Sequence, residues 1–267
     1  MIKFLSAFNL NWASNDISLP SLANNQDCKK VNIDIKIKNE SPCLWPKINK
    51  SIADTPFLQM SKNDLRLEVD NIGKFRALNG TKISWFKNSP EVEDKDILTF
   101  LLGSMFGAIL MQRGLTVLHG NALEKDGKTI VCLGYSGSGK STLAYALIQN
   151  GWKFMSDDLV AINKEGYILR GIPRLKLWED SLKSFGLNKE KLSSVGNKLN
   201  KFIYKPDKSL LAENNSKLSN IYLINRFSKI SKAQTKPIES VNNEKIKLLY
   251  LRNNLYRPRF ARGLQKE

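Results

Sequence analysis

The residues from Gly134 to Ser141 read GYSGSGKS and fully match the pattern GxxxxGK[ST], which forms phosphate-cradling loops. They lie between an apolar run, Thr129–Leu133, that predicts a strand and a stretch, Lys140–Asn150, that predicts a helix closed by Gly151. A chain of phosphates needs several inward-pointing backbone N–H groups. Gly134, Gly137 and Gly139 permit the backbone conformations and close approach that such a loop requires. The helix beginning near Lys140 adds its N-terminal partial positive charge. In this arrangement Lys140 reaches the β- and γ-phosphates as a point charge and the Ser141 hydroxyl ligates Mg²⁺. Tyr135, Ser136, Ser138 and Thr142 complete the expected nucleotide-binding segment.

Two further features have the chemistry to work beside bound phosphates. Asp157-Asp158 follow the expected helix, at a break in the next apolar strand, Phe154–Ser156 with Leu159–Ile162. Adjacent acids at that place can divide the work, one orienting Mg²⁺ and the other accepting a proton from an attacking hydroxyl. A solvated acidic turn would carry the same letters. His119 is the sole histidine and precedes Gly120 at the end of an expected strand, Leu115–His119. A lone histidine is more often structural, but adjacent strands would bring its end toward the phosphates.

Elements of two textures must position these groups. Residues 1–95 read as an irregular, mainly β region. In Lys30–Lys38, KVNIDIKIK, Val31, Ile33, Ile35 and Ile37 alternate with polar residues, the period of a half-buried strand. Leu65–Val69 and Lys82–Phe86 alternate similarly, and Asn79-Gly80 is a hairpin signal, so a small antiparallel sheet is expected. From Asp96 the chain changes to a long apolar helix ending near Arg113-Gly114, followed by alternating strands and helices. That order implies an α/β core over residues 96–267. Further on, Asn220–Asn225 predicts a strand and Asn243–Asn253 a helix, and Ser193–Ser216 is expected to contain a loop.

Composition narrows the options. The 267 residues are 42% hydrophobic, enough for one full core and a smaller unit. The most apolar stretch, Ile97–Met111, is shorter than the roughly 20 residues that span a bilayer, and no N-terminal signal pattern is visible. A cytoplasmic protein without a membrane partner is expected. Cys28, Cys43 and Cys132 share no metal-binding or disulfide spacing. The net charge is +17, and from Leu175 onward 20 Lys and Arg face 8 Asp and Glu. Such a surface draws anionic partners, and a compositional bias toward Lys and Asn would produce the same surplus.

The combination of His119-Gly120, Gly134–Ser141, Gly151 and Asp157-Asp158, in this order and spacing, resembles the HPr kinase/phosphorylase group. The resemblance extends to short HPr-kinase-like proteins, including those encoded beside peptide-modification genes such as lasso-peptide clusters. It rests there on Ala7–Leu10, Leu19–Leu22, the segment LLGSMFGAILMQRGLTVLHGNAL and the phrase Gly171–Trp178. It implies a mixed-sheet core like that of the HPr kinase C-terminal domain, with ATP and Mg²⁺ as ligands. By residue it implies Asp157 as general base, Asp158 nearer the metal together with Ser141, and His119 beside the transferring phosphoryl group. The Gly-rich stretch that HPr kinases carry well after the Asp pair is not found. HPr as substrate, reversal by inorganic phosphate and a hexamer are therefore not carried over, and a homo-oligomer stays open.

The expected activity is transfer of the ATP γ-phosphate to a hydroxyl, with Asp157, His119 and Lys140 as catalytic residues. The acceptor is a serine of a peptide or protein, or a small anionic metabolite. Arg252, Arg257, Arg259 and Arg262 of the tail are candidates to hold its anionic group, or a solvated helical face. An ATP-binding regulatory module that moves no phosphate is the alternative. Nucleic-acid binding is weaker still, because no recognition motif accompanies the charge.

Overall fold

The computed structural model describes residues 2–20, 32–48, 50–196, 200–224 and 238–264. Cys28, Val31 and Asn225 lie outside the described residues. The first eight strands are β1 (Lys3–Ala7), β2 (Leu10–Ser14), β3 (Ile35–Asn39), β4 (Ala53–Asp54), β5 (Leu58–Ser61), β6 (Asp64–Val69), β7 (Gly73–Leu78) and β8 (Lys82–Lys87). They form one sheet in the order β1-β2-β3-β8-β7-β6-β5-β4. Asn79 and Gly80, at φ 54° and 65°, are both left-handed in the three-residue turn between the paired Leu78 and Lys82, a conformation that asparagine and glycine adopt most readily. The sheet is mixed rather than antiparallel, since β3 runs parallel to both β2 and β8. A side-chain period of two is common to both kinds of ladder, so alternation does not reveal strand direction.

One face of this sheet carries Trp12, Ile35, Ile37, Phe75 and Ile83, all fully buried. It is covered by α1 (Asp94–Phe100), a π-helical turn at Leu101–Met105, and α2 (Phe106–Gln112). These form the expected long apolar helix, and every residue from Leu101 to Met111 is buried. Trp12 stacks on Phe106 with ring centroids 3.6 Å apart. On another side, a Cβ on Gly103 would approach the Tyr256 hydroxyl to 3.0 Å and one on Gly107 the Tyr256 ring to 2.8 Å. This glycine notch seats the C-terminal segment. A single core cluster runs from Leu5 in β1 through the helix to Leu264.

The chain then forms β9 (Thr116–Lys125), β10 (Lys128–Leu133), α3 (Lys140–Gln149), β11 (Lys153–Ile162), β12 (Tyr167–Leu169) and β13 (Leu175–Trp178). After α4 (Glu179–Ser184) come β14 (Ser193–Ser194), β15 (Lys201–Tyr204), β16 (Ser216–Leu223), α5 (Glu244–Asn253) and α6 (Pro258–Leu264). Strands β10-β16-β12-β11-β9 close into a barrel in which only the β10–β16 pair is parallel. Strands β13-β15-β14 make a small separate sheet.

The molecule is thus α/β with mixed sheets. The strand expected to end at His119 runs on to Lys125, because Asp126 and Gly127, at φ 51° and 73°, turn it back as a hairpin with β10. Within Ser193–Ser216, the segment expected to contain a loop, Ser193–Ser194 and Lys201–Tyr204 are β14 and β15. Among the described residues no helix is long and apolar enough to cross a membrane.

Trp12 joins the first sheet to the helix. Trp12→Ala is expected to lower stability by about 3–5 kcal/mol, read as a fall in the urea midpoint of far-UV circular dichroism with an unchanged slope.

Candidate functional site

Strand β9 organises the site. Gly120 lies level with Leu133 of β10 on one edge and with Asp158 of β11 on the other. A Cβ at position 120 would meet the Cys132 carbonyl oxygen at 2.5 Å, so only glycine allows this approach. At that level β10 turns into the Gly134–Ser141 loop. Gly134 has φ 148°, and a Cβ there would lie 2.5 Å from the Ile224 carbonyl oxygen. Gly139, at φ 95°, occupies the N-cap of α3 without a side-chain cap. The first amides of the helix are therefore left to whatever lies above the loop. The Ser138 hydroxyl is buried in the loop without a hydrogen-bond partner.

Lys140 is buried under the loop, where its Nζ donates to the carbonyl oxygens of Gly134 at 2.6 Å and Tyr135 at 3.0 Å. Burial pulls its pKa down, and Asp157 and Asp158 work against that shift. Ser141, in the first turn of α3, donates from Oγ to Asp157 Oδ1 at 3.2 Å. Asp157 Oδ2 accepts the backbone N–H of Lys176 at 3.0 Å. Burial, reinforced by the neighbouring Asp158 carboxylate, pushes the Asp157 carboxyl up to about 6.

Asp158 shows how both acids reach one site. Neighbouring strand residues normally point to opposite faces, yet Asp157 accepts from the Lys176 amide and Asp158 forms an ion pair with the Lys176 ammonium. Asp158 sits within β11 at φ +68°, a left-handed conformation that costs about 1–3 kcal/mol in a non-glycine residue. The expected break in the strand is this distortion, and the ladder to β9 continues through it. Burial opposes the charged Asp158, but Lys176, His119 and Arg174 outweigh it and hold the carboxyl well below the usual range.

His119 is adjacent, with Nδ1 3.3 Å from the Asp158 carbonyl oxygen. That oxygen can only accept, so Nδ1 carries the proton and Nε2 is left as an acceptor. Burial lowers the His119 pKa despite the Asp158 charge, and the ring is neutral near pH 7.

The structure brings Lys140, Ser141, Asp157, Asp158 and His119 together. Asp157, not Asp158, meets Ser141. Tyr135 is exposed at 77%, and Thr142 hydrogen-bonds Ser181 of α4 at 2.8 Å. Among the described residues no group of three His, Cys, Asp or Glu side chains could hold a metal by itself. The Ser141–Asp157 pair nevertheless suits Mg²⁺, which is commonly held by one or two protein ligands together with phosphate oxygens and water.

Several members of the site were not singled out from sequence. Lys176 lies in β13 between the buried Leu175 and Leu177, and that alternation was the available signal. Arg174 feels both carboxylates. Lys201, paired with Trp178 across β13–β15, holds its ammonium 4.7 Å from the Trp178 ring. Asn254 binds both halves of the site: its carbonyl accepts the His119 amide at 2.8 Å and its side chain accepts the Gly134 amide at 3.1 Å. Arg252, Arg257, Arg259 and Arg262 are exposed, with Arg257 lying over Tyr256.

No family model matches the chain, and no curated protein matches it.

The Asp157 carboxyl generates a pH dependence. Its folded pKa of about 6 exceeds the ordinary value of 3.8, so its unfavourable ionisation erodes stability as pH rises from about 4 to about 6. Asp157→Asn is expected to match the parent at pH 4 and to unfold at higher urea at pH 8. Denaturation curves at the two pH values check this.

Proposed function

We propose that this chain is an ATP- and Mg²⁺-dependent phosphotransferase with an HPr-kinase-like P-loop core, moving the γ-phosphoryl group onto a hydroxyl. The observation that carries the proposal is the contact of Ser141 Oγ with Asp157 one residue after Lys140, with Asp158 and His119 alongside. A glycine loop alone argues for phosphate binding. The added carboxylate pair and neutral imidazole argue for chemistry on the phosphate.

In this reading Lys140 exchanges its two carbonyl partners for the β- and γ-phosphates, and the first amides of α3 face the same oxygens. Ser141 and Asp157 would hold Mg²⁺, which would neutralise charge on the phosphates, and Asp157 would serve there in its ionised form. Asp158, aimed by its left-handed backbone and held by Lys176, orients the acceptor hydroxyl and takes its proton late in transfer. The transition state is loose, so placement matters more than base strength. His119 fixes the Asp158 backbone through Nδ1. Arg174, Lys176 and Lys201 support an acceptor with an anionic group, on a peptide, a protein or a small metabolite. A cytoplasmic location belongs to the same reading.

The test uses γ-labelled ATP with water as the default acceptor and peptides or small hydroxy acids as added ones. Lys140→Ala is expected to reduce transfer at least about 10³-fold. Asp157→Asn is expected to raise the Mg²⁺ requirement, and Asp158→Asn to lower turnover at saturating Mg²⁺. Unchanged turnover in all three variants contradicts the proposal, and bound ATP with no transfer favours a regulatory nucleotide-binding module.

A further inference from the structure

Asn121 occupies a position in the sheet that packing alone does not explain. On β9 it stands directly opposite Cys132 of β10 on one edge and Asp157 of β11 on the other. Directly opposed residues share a face of the sheet, with Cβ atoms about 4.5–5.5 Å apart. The face in question lies under α3: Cys132 belongs to one apolar cluster with Ala144 and Ile148 of that helix, and Asp157 meets Ser141 of its first turn. Asn121 is completely buried, and neither its carboxamide nitrogen nor its oxygen has a hydrogen-bond partner.

A buried carboxamide with no partner is strongly unfavourable, and an apolar side chain of similar size would suit a layer shared with Cys132 and Leu123 better. The side chains flanking Asn121 in register are a thiol and the Asp157 carboxylate. Only the carboxylate is a strong acceptor. The Ser138 hydroxyl is likewise buried and unpartnered, in the loop that precedes Lys140 and Ser141. Unsatisfied donors therefore occur on two elements of the same site.

We infer that Asn121 is a positioning residue for the cation site: its carboxamide hydrogen-bonds the Asp157 carboxylate in the orientation that holds Mg²⁺, and so raises the affinity for the ion. The inference rests on the proposed Mg²⁺-nucleotide reading of Ser141 and Asp157. It makes Asn121 a residue kept for the loaded state at the expense of the metal-free one, as stability–function compromises commonly are.

The experiment measures three quantities on Asn121→Val and the parent. These are urea stability without metal, ATP affinity in EDTA, and the Mg²⁺ concentration that gives half of the Mg²⁺-dependent gain in ATP affinity, by calorimetry. The variant is expected to be at least as stable as the parent and to bind ATP equally in EDTA. Its half-maximal Mg²⁺ concentration should rise by about 10-fold or more, the scale on which partners of metal ligands act. If Asn121→Val does not fold, Asn121→Ala is measured in the same way. A Mg²⁺ titration that superimposes on the parent's overturns this inference alone. Absence of any Mg²⁺-dependent ATP binding in the parent overturns it together with the proposed function.

Discussion

The whole site depends on the pairing of β9 with two partners at once. Because Gly120 lets β10 approach closely, Leu133 and Asp158 are held at one level across three strands. The loop leaving β10 and the acidic pair in β11 then face each other across α3, and Ser141 reaches Asp157. One residue of slip in either ladder would send every side chain of the strand to the opposite face. Neither Lys140 nor the acids would then lie beside the other. Closure of the barrel by β16 and β12 leaves β9, β10 and β11 no free edge along which to shift.

Charge balance is the second constraint. Two carboxylates, Asp157 and Asp158, are set close together against Lys140, Arg174, Lys176 and Lys201. They respond in opposite directions, with Asp157 pushed up by burial and Asp158 held down by Lys176. Pairs of acids separated in this way by their surroundings are a recurrent device for giving two carboxylates different tasks. The C-terminal segment belongs to the same unit. Where β10 leaves β9, residues 254–256 take over the vacated edge, and Tyr256 is seated in the notch made by Gly103 and Gly107. The helix that covers the first sheet therefore also supports the strand that carries His119.

What could be read from sequence was local. The glycine loop, its flanking strand and helix, and the turn at Asn79-Gly80 are encoded by residues within a few positions of one another. The acidic pair was legible as an interruption, but its cause, a left-handed Asp158 inside a continuous strand, was not. Residues that reach the site through long-range register left little trace: Lys176 is one polar position in a short alternating strand, and Asn121 and Asn254 look like ordinary asparagines. The parallel pairings of β3 escaped notice because alternation is the same in both directions. Which of the two acids meets Ser141 was likewise not legible, since adjacency in sequence does not say which carboxylate will face α3.

The central claim is that Gly134–Ser141, together with Asp157, is built for a magnesium nucleotide, and it is tested most directly by a crystal structure with Mg²⁺ and a non-hydrolysable ATP analogue. The account predicts phosphates over the loop, Lys140 Nζ withdrawn from the Gly134 and Tyr135 carbonyls to meet them, and the ion between Ser141 Oγ and Asp157. A nucleotide bound elsewhere, or a Lys140 still tied to both carbonyls beneath a bound nucleotide, would contradict it.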